Sequence, residues 1–152
     1  MTKIFEPLTL PNGTAIPNRL CKAAMEENMA EAGQIPGDAL INLYLQWAAG
    51  GPGLILSGNV MVAPDAMTGP GGIYLGKGVL DDRETRQIFE TWAKAGKSGG
   101  SQFYMQISHP GRQVYANMGT DVVSASATQV TMAGAPKGTF GESRGLSDEE
   151  VQ

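Results

Sequence analysis

The side chains whose types and spacing suit chemistry fall in two places, the run Gln106-Ile107-Ser108-His109-Pro110-Gly111-Arg112 and the neighbourhood of Cys21. Gln106 carries an amide, which donates and accepts hydrogen bonds at once. From Ser101 to Ile107, the apolar Phe103, Met105 and Ile107 alternate with Gln102, Tyr104 and Gln106. Strand periodicity therefore sends Gln106 to the face opposite the apolar residues. His109 is the sole histidine and has the chemistry of a general acid. Arg112 either binds an anionic phosphate or substrate or fixes a loop. Cys21 lies inside a short apolar run and reads as a buried packing residue, not a nucleophile. Glycines 69, 71, 72, 76 and 78 form no G-x-G-x-x-G that follows a strand and opens a helix, so turn flexibility accounts for them.

These groups need a scaffold, and the sequence supplies one of alternating strands and helices. Pro11-Asn12-Gly13 between two short β-like segments predicts a hairpin over residues 8–16. Leu20-Cys21-Lys22-Ala23-Ala24-Met25 reads as a buried first strand ending near Met25. Leu40, Leu43, Tyr44, Trp47 and Ala48 recur at i, i+3, i+4, i+7 and i+8, which lines one side of a helix with Asp38 as N-cap and Gly50-Gly51 as the stop. Residues 53–62 form the next strand, so the first two strands pair in parallel. After a Gly- and Pro-rich loop over residues 63–78, a second helix follows Asp81-Asp82 and carries Ile88, Phe89, Trp92 and Ala93 to about Gly96. Trp47 and Trp92, at helical spacing with aliphatics, are core residues. The third strand ends at Gln106, the end of a barrel strand where barrel enzymes place their chemistry. Residues 108–146 are expected to form a lid or an excursion with a hairpin of its own. Ser147-Asp148-Glu149-Glu150 resembles a capped first helical turn. Three strands and two helices make about three-eighths of a (β/α)8 barrel, which needs ~250 residues, so the expected fold is an α/β partial TIM barrel of three β-α units, truncated before strand four.

Composition agrees with one hydrophobic core in a single domain: 41% of the 152 residues are apolar. Eleven Lys and Arg against 15 Asp and Glu give a net charge of -4, and no basic cluster occurs, which argues against nucleic-acid and anionic-membrane surfaces. No apolar run approaches the ~18 residues of a membrane span. One cysteine and no secretory h-region predict a soluble, cytoplasmic protein without an internal disulfide.

Four segments, in order and spacing, resemble the N-terminal half of the old yellow enzyme family of NADH:flavin oxidoreductases. They are Phe5-Glu6-Pro7-Leu8 with Asn18-Arg19-Leu20, then Ala23-Ala24-Met25, then Ala49-Gly50-Gly51-Pro52-Gly53-Leu54-Ile55, and finally Gln106 to Arg112. The resemblance covers nearly the whole chain. It implies FMN across the C-terminal mouth of the barrel, with Ala23, Ala24 and Met25 along the isoalloxazine ring and Glu26 following. Gly58 or Asn59 falls near the pyrimidine end, and Gln106 hydrogen-bonds the pyrimidine carbonyl and N–H. His109 then belongs to a structural turn. The family usually has Thr or Cys at position 26, so Glu26 is expected to turn away from the ring or to be held protonated. Asn59 is bulkier than the family's usual Ala or Gly. The implied activity passes hydride from NAD(P)H through FMN to an electron-poor small molecule such as an α,β-unsaturated carbonyl. The substrate-anchoring pair, the proton-donating Tyr and the phosphate loops lie beyond strand three, so no catalytic acid is assigned here. Two other readings remain open: a non-enzymatic partial barrel completed by self-association or by a complementing chain, and an unrelated flavin-free barrel enzyme.

Overall fold

The computed structural model describes residues 3–151. The predicted hairpin is present as β1 (Leu8–Thr9) and β2 (Ala15–Ile16), antiparallel with Leu8 opposite Ile16. Its turn is closed by Asn12 Oδ1, which accepts the Thr14 N–H at 3.0 Å, and by Gly13 at φ 84°. Next comes β3, which is only Cys21–Lys22 and stops short of Met25. An unforeseen second hairpin follows, β4 (Ala30–Glu31) with β5 (Ile35–Pro36), turned through Gly33 and Gln34 in the left-handed region.

The first long helix, α1, is Asp38–Ala49. Its N-cap is Gly37, extended and without a side-chain cap, so Asp38 is the first helical residue and not the cap expected from the sequence. The physical reason is that β5 feeds straight into the helix, and a Cβ at position 37 would overlap the Glu31 side chain. Then come β6 (Leu54–Met61), β7 (Ile73–Tyr74), α2 (Arg83–Lys97) and β8 (Gln102–Ser108). Asp82 caps α2 by accepting the Thr85 N–H at 2.7 Å, and this bond holds its carboxyl below the usual carboxylate range.

β6 is the central strand. β8 pairs with it in parallel along its length, from Leu54 opposite Gln102 to Met61 opposite Ser108. Its other edge is shared: β3 pairs with Leu54 and Ile55, and β7 with Val60 and Met61. Between those two pairings the register with β8 shifts, with an extra residue in β6 between Leu56 and Asn59.

The core lies between this sheet and the two helices. Leu40, Tyr44 and Ala48 of α1 meet Phe89, Trp92 and Ala95 of α2 over Ile55, Val60 and Ile73. Tyr44 stands edge-on to Trp92 at 5.3 Å and to Trp47 at 4.9 Å, and Phe103 packs against both Tyr44 and Trp92. Ile107, in register with buried Val60, is 68% exposed because none of the described elements covers it.

The sequence placed Cys21 in the interior, but Cys21 is exposed. Strand alternation allows one neighbour of the pair to face the helices, and that neighbour is Lys22. Its Nζ lies 4.2 Å from the centre of the Trp47 ring. Cys21 therefore takes the opposite, open face of the sheet.

The long connection after β8 contains β9 (Val122–Ser124) and β10 (Ser143–Gly145). They pair in parallel, and the chain between them loops back before pairing; the antiparallel contact of this excursion among the described residues is an isolated bridge of Tyr115 with Phe140 and not a regular hairpin. Arg144 ties the pair to the end of the described chain, reaching Asp121 and Glu150 at 2.7 Å each. Glu150 also accepts the Ser147 N–H at 2.8 Å, the bond of a capped turn. Among the described residues no helix is long and apolar enough to cross a membrane.

The Arg144 hydrogen bonds, then the Ser147 N–H, pull the Glu150 carboxyl down to about 2 from 4.5. A depressed acid stabilises the fold above its unfolded value and stops doing so as pH falls through the folded one. Protection of the Ser147 amide from exchange should therefore be complete above about pH 5 and lost near about pH 2. Glu150→Gln should abolish that dependence, and pH-independent protection in the wild type would contradict it.

Candidate functional site

Residues 23–26, Gly58, Asn59 and Gln106 gather at the C-terminal end of the parallel strands. Three constraints put them there. After Lys22 the chain leaves the ladder with β6, so residues 23–26 are free of strand pairing. The bulge in β6 turns Gly58 toward that span: a Cβ there would overlap the Met25 carbonyl and Glu27 Oε2 and lie 3.0 Å from Glu26 Cα. Only glycine lets the two backbones approach so closely. Past the bulge, Asn59 is directly opposite Gln106, and Asn59 Oδ1 accepts a short hydrogen bond from Gln106 Nε2.

Ala23 is exposed, Met25 is 55% exposed and Ala24 is half-buried. Gln106 is exposed and Asn59 half-buried, so their paired amides present their remaining hydrogen-bonding capacity outward. Of the two residues expected near this end of β6, Asn59 meets Gln106, whereas Gly58 is buried. Glu26 is half-buried, and its Oε1 is sealed from solvent without a hydrogen-bond partner. An orphaned buried acceptor is costly and marks a place where a donor is wanted.

Four residues whose part in the site the sequence did not reveal hold this arrangement from behind. Glu27 Oε1 accepts from Tyr44 Oη at 2.5 Å, from the Gly58 N–H at 3.1 Å and from Lys22 Nζ at 3.3 Å. Lys22 also donates to the Leu56 carbonyl at 2.9 Å. Burial first, then the bond to the Glu27 carboxylate, push the Tyr44 phenol well above its ordinary range, so it serves as a donor. Ser57, fully buried, completes the bulge by accepting the Gln106 backbone N–H at 2.9 Å and donating to the Gly58 carbonyl at 2.7 Å. The available signal was Lys22 itself, a charge inside an apolar strand, which requires a buried partner.

His109 Nδ1 accepts the Gly111 N–H at 3.1 Å, the geometry of a turn. Arg112 donates to Thr128 Oγ1 at 2.6 Å, bracing the loop beside a groove of about 800 Å3 lined by residues 110–113, 124–126 and 128–131. Among the described residues no group of three or more metal-binding side chains occurs.

With the fold traced, comparison with solved structures shows its class. The old yellow enzyme homologue from Zymomonas mobilis matches 99% of this chain over 41% of its own, at 21% identity and a TM-score of 0.79. Morphinone reductase matches 97% of this chain over 40% of its own, at 22% identity and a TM-score of 0.74. The architecture is thus an α/β fold resembling part of the old yellow enzyme barrel. Residues 3–152 match the NADH:flavin oxidoreductase / NADH oxidase family, and the chain belongs to that family. Among curated relatives, an NADH-dependent flavin oxidoreductase of Neonectria sp. is 38% identical over 75% of this chain and 15% of its own length. One of Hypocrea jecorina is 35% identical over 75% of this chain and 28% of its own, and one of Aspergillus parasiticus 32% over 90% and 32%. The chain spans less than a third of the length of these relatives.

Gly58→Ala should lower stability by about 2 kcal/mol, because the new methyl meets backbone at the Met25 carbonyl as well as the Glu27 side chain. A thermal melt should show a midpoint lower by several degrees; an unchanged midpoint would mean that the two backbones are not in contact.

Proposed function

We propose that this chain forms the ring-facing wall of an FMN site in an NADH:flavin oxidoreductase of the old yellow enzyme type. In that reading β3, β6 and β8 are the first three strands of an eight-stranded barrel. The observation that carries it is the paired amides of Asn59 and Gln106 beside the unladdered residues 23–26, all at the C-terminal end of parallel strands.

The donor set suits a flavin. Isoalloxazine is flat, apolar at one end and rich in hydrogen-bonding groups at its pyrimidine end. Ala23, Ala24 and Met25 offer small or flexible side chains and free backbone for a flat face. Gln106, held by Asn59, offers an amide to a carbonyl and an N–H together. The unpartnered Glu26 Oε1 is an acceptor facing no donor of its own chain. A bound flavin supplies hydride transfer, and the protein's part is to bind it, orient it and tune it. By family, the electron donor is NAD(P)H and the acceptor an electron-poor small molecule, such as an α,β-unsaturated carbonyl. Cytoplasmic location belongs to the same proposal.

A second reading is a partial barrel completed by another copy of the chain or by a complementing chain. It is favoured by β8, paired on one side only among the described residues, with the exposed Ile107 on it.

The test is an absorbance spectrum between about 300 and about 550 nm, where flavins absorb, on protein mixed with excess FMN and desalted by gel filtration. Retained flavin absorbance that Gln106→Ala abolishes is the expected result. A colourless wild type would contradict the flavin site, and elution at twice the monomer mass or more would favour the second reading.

A further inference from the structure

Residues 22 and 27 bracket the span that the flavin reading places against the ring, and their side chains meet behind it. Lys22 and Glu27 are each 8% exposed, and their ion pair closes a short loop around residues 23–26. This loop lies against the stretch of the β6 edge that neither β3 nor β7 covers. Lys22 Nζ takes the Leu56 carbonyl there, and Glu27 Oε1 takes the Gly58 N–H. Side chains thus make the rungs that a continued strand would have made, while the backbone of residues 23–26 stays free of β6. A buried carboxylate with three donors is well satisfied, and its bonds are charge-assisted. One of those donors, the Gly58 N–H, belongs to the residue preceding Asn59, whose amide holds Gln106. A single carboxylate therefore binds the neighbours of both parts of the proposed ring wall, Lys22 before residues 23–26 and Gly58 before Asn59.

We propose that Glu27 is a positioning residue: clasped by Lys22 and Tyr44, it fixes residues 23–26 against the β6 bulge and sets the pose in which that span and the Asn59 and Gln106 amides meet the flavin. The proposal rests on the flavin reading above for its ligand, and on the clasp alone for its geometry. Nothing in it requires Glu27 to touch the flavin. Its role differs from that of a core residue, whose loss lowers stability but leaves the site unchanged in the molecules that remain folded.

The test compares wild type, Glu27→Ala, Glu27→Gln and Tyr44→Phe. The readouts are the FMN dissociation constant, the visible circular dichroism of the bound flavin, and the backbone amide spectrum without flavin. Glu27→Ala should weaken FMN by about tenfold, the equivalent of one charge-assisted bond, and alter the dichroism of the flavin still bound. Glu27→Gln keeps an acceptor for Tyr44 and Gly58 and should recover most of both effects. Should Glu27→Ala not fold, Tyr44→Phe decides: it keeps the ring packing, and its dissociation constant should rise about threefold with the same change in dichroism. Wild-type affinity and dichroism in folded Glu27→Ala, or in Tyr44→Phe, would overturn the proposal. A wild type that takes up no FMN would overturn the flavin reading instead. The positioning claim is then read from the flavin-free spectra: in Tyr44→Phe, and in Glu27→Ala where it folds, amide shifts confined to residues 23–26, Gly58 and Asn59 support it, and unchanged amides there overturn it.

Discussion

The hydroxyl of Tyr44 is the point on which the rest of the structure turns. Its ring is fully buried, edge-on to Trp47 and Trp92 and packed on Phe103, so it ties α1 to α2 and to β8. Its oxygen emerges from that apolar cluster to donate to Glu27 and to accept from the Gly58 N–H. A buried phenol must find such partners, and a buried carboxylate must find donors. The two needs are met together at the bulge of β6. Helix packing on one side of the sheet thereby fixes the backbone that shapes the other side.

Much of this architecture could be read from periodicity. The helical spacing from Leu40 to Ala48 and the alternation from Phe103 to Ile107 are strong patterns, and α1, α2, β6 and β8 lie within a residue or two of their expected bounds. The Asn12-Gly13 turn and the Asp82 cap carry their own local chemistry, and both are present. The juxtaposition of Asn59 with Gln106 follows from the parallel register of β6 and β8, which the β-α-β order implied in outline.

Other features were not legible because they depend on tertiary partners. An alternating strand does not announce which face the helices will cover, and at β3 the helices took charged Lys22 and left Cys21 in the open. The ring faces of Trp47 and Tyr44 and the carboxylate of Glu27 make that choice tolerable, and all three lie far from Lys22 in sequence or outside its strand. The bulge at Gly58 has no sequence mark beyond the glycine itself, since its cause is the approach of residues 25–27. Likewise the β9 and β10 pair joins segments about twenty residues apart in parallel, which no local turn signal encodes.

In the proposed function, the flavin surface is the open face at the ends of β3, β6 and β8, and not the groove beside Arg112. Backbone amide spectra of the isotopically labelled protein, recorded during titration with FMN, distinguish the two directly. The largest shifts should fall on residues 23–26, Asn59 and Gln106. Shifts confined to residues 110–131, with the strand ends unmoved, would contradict it.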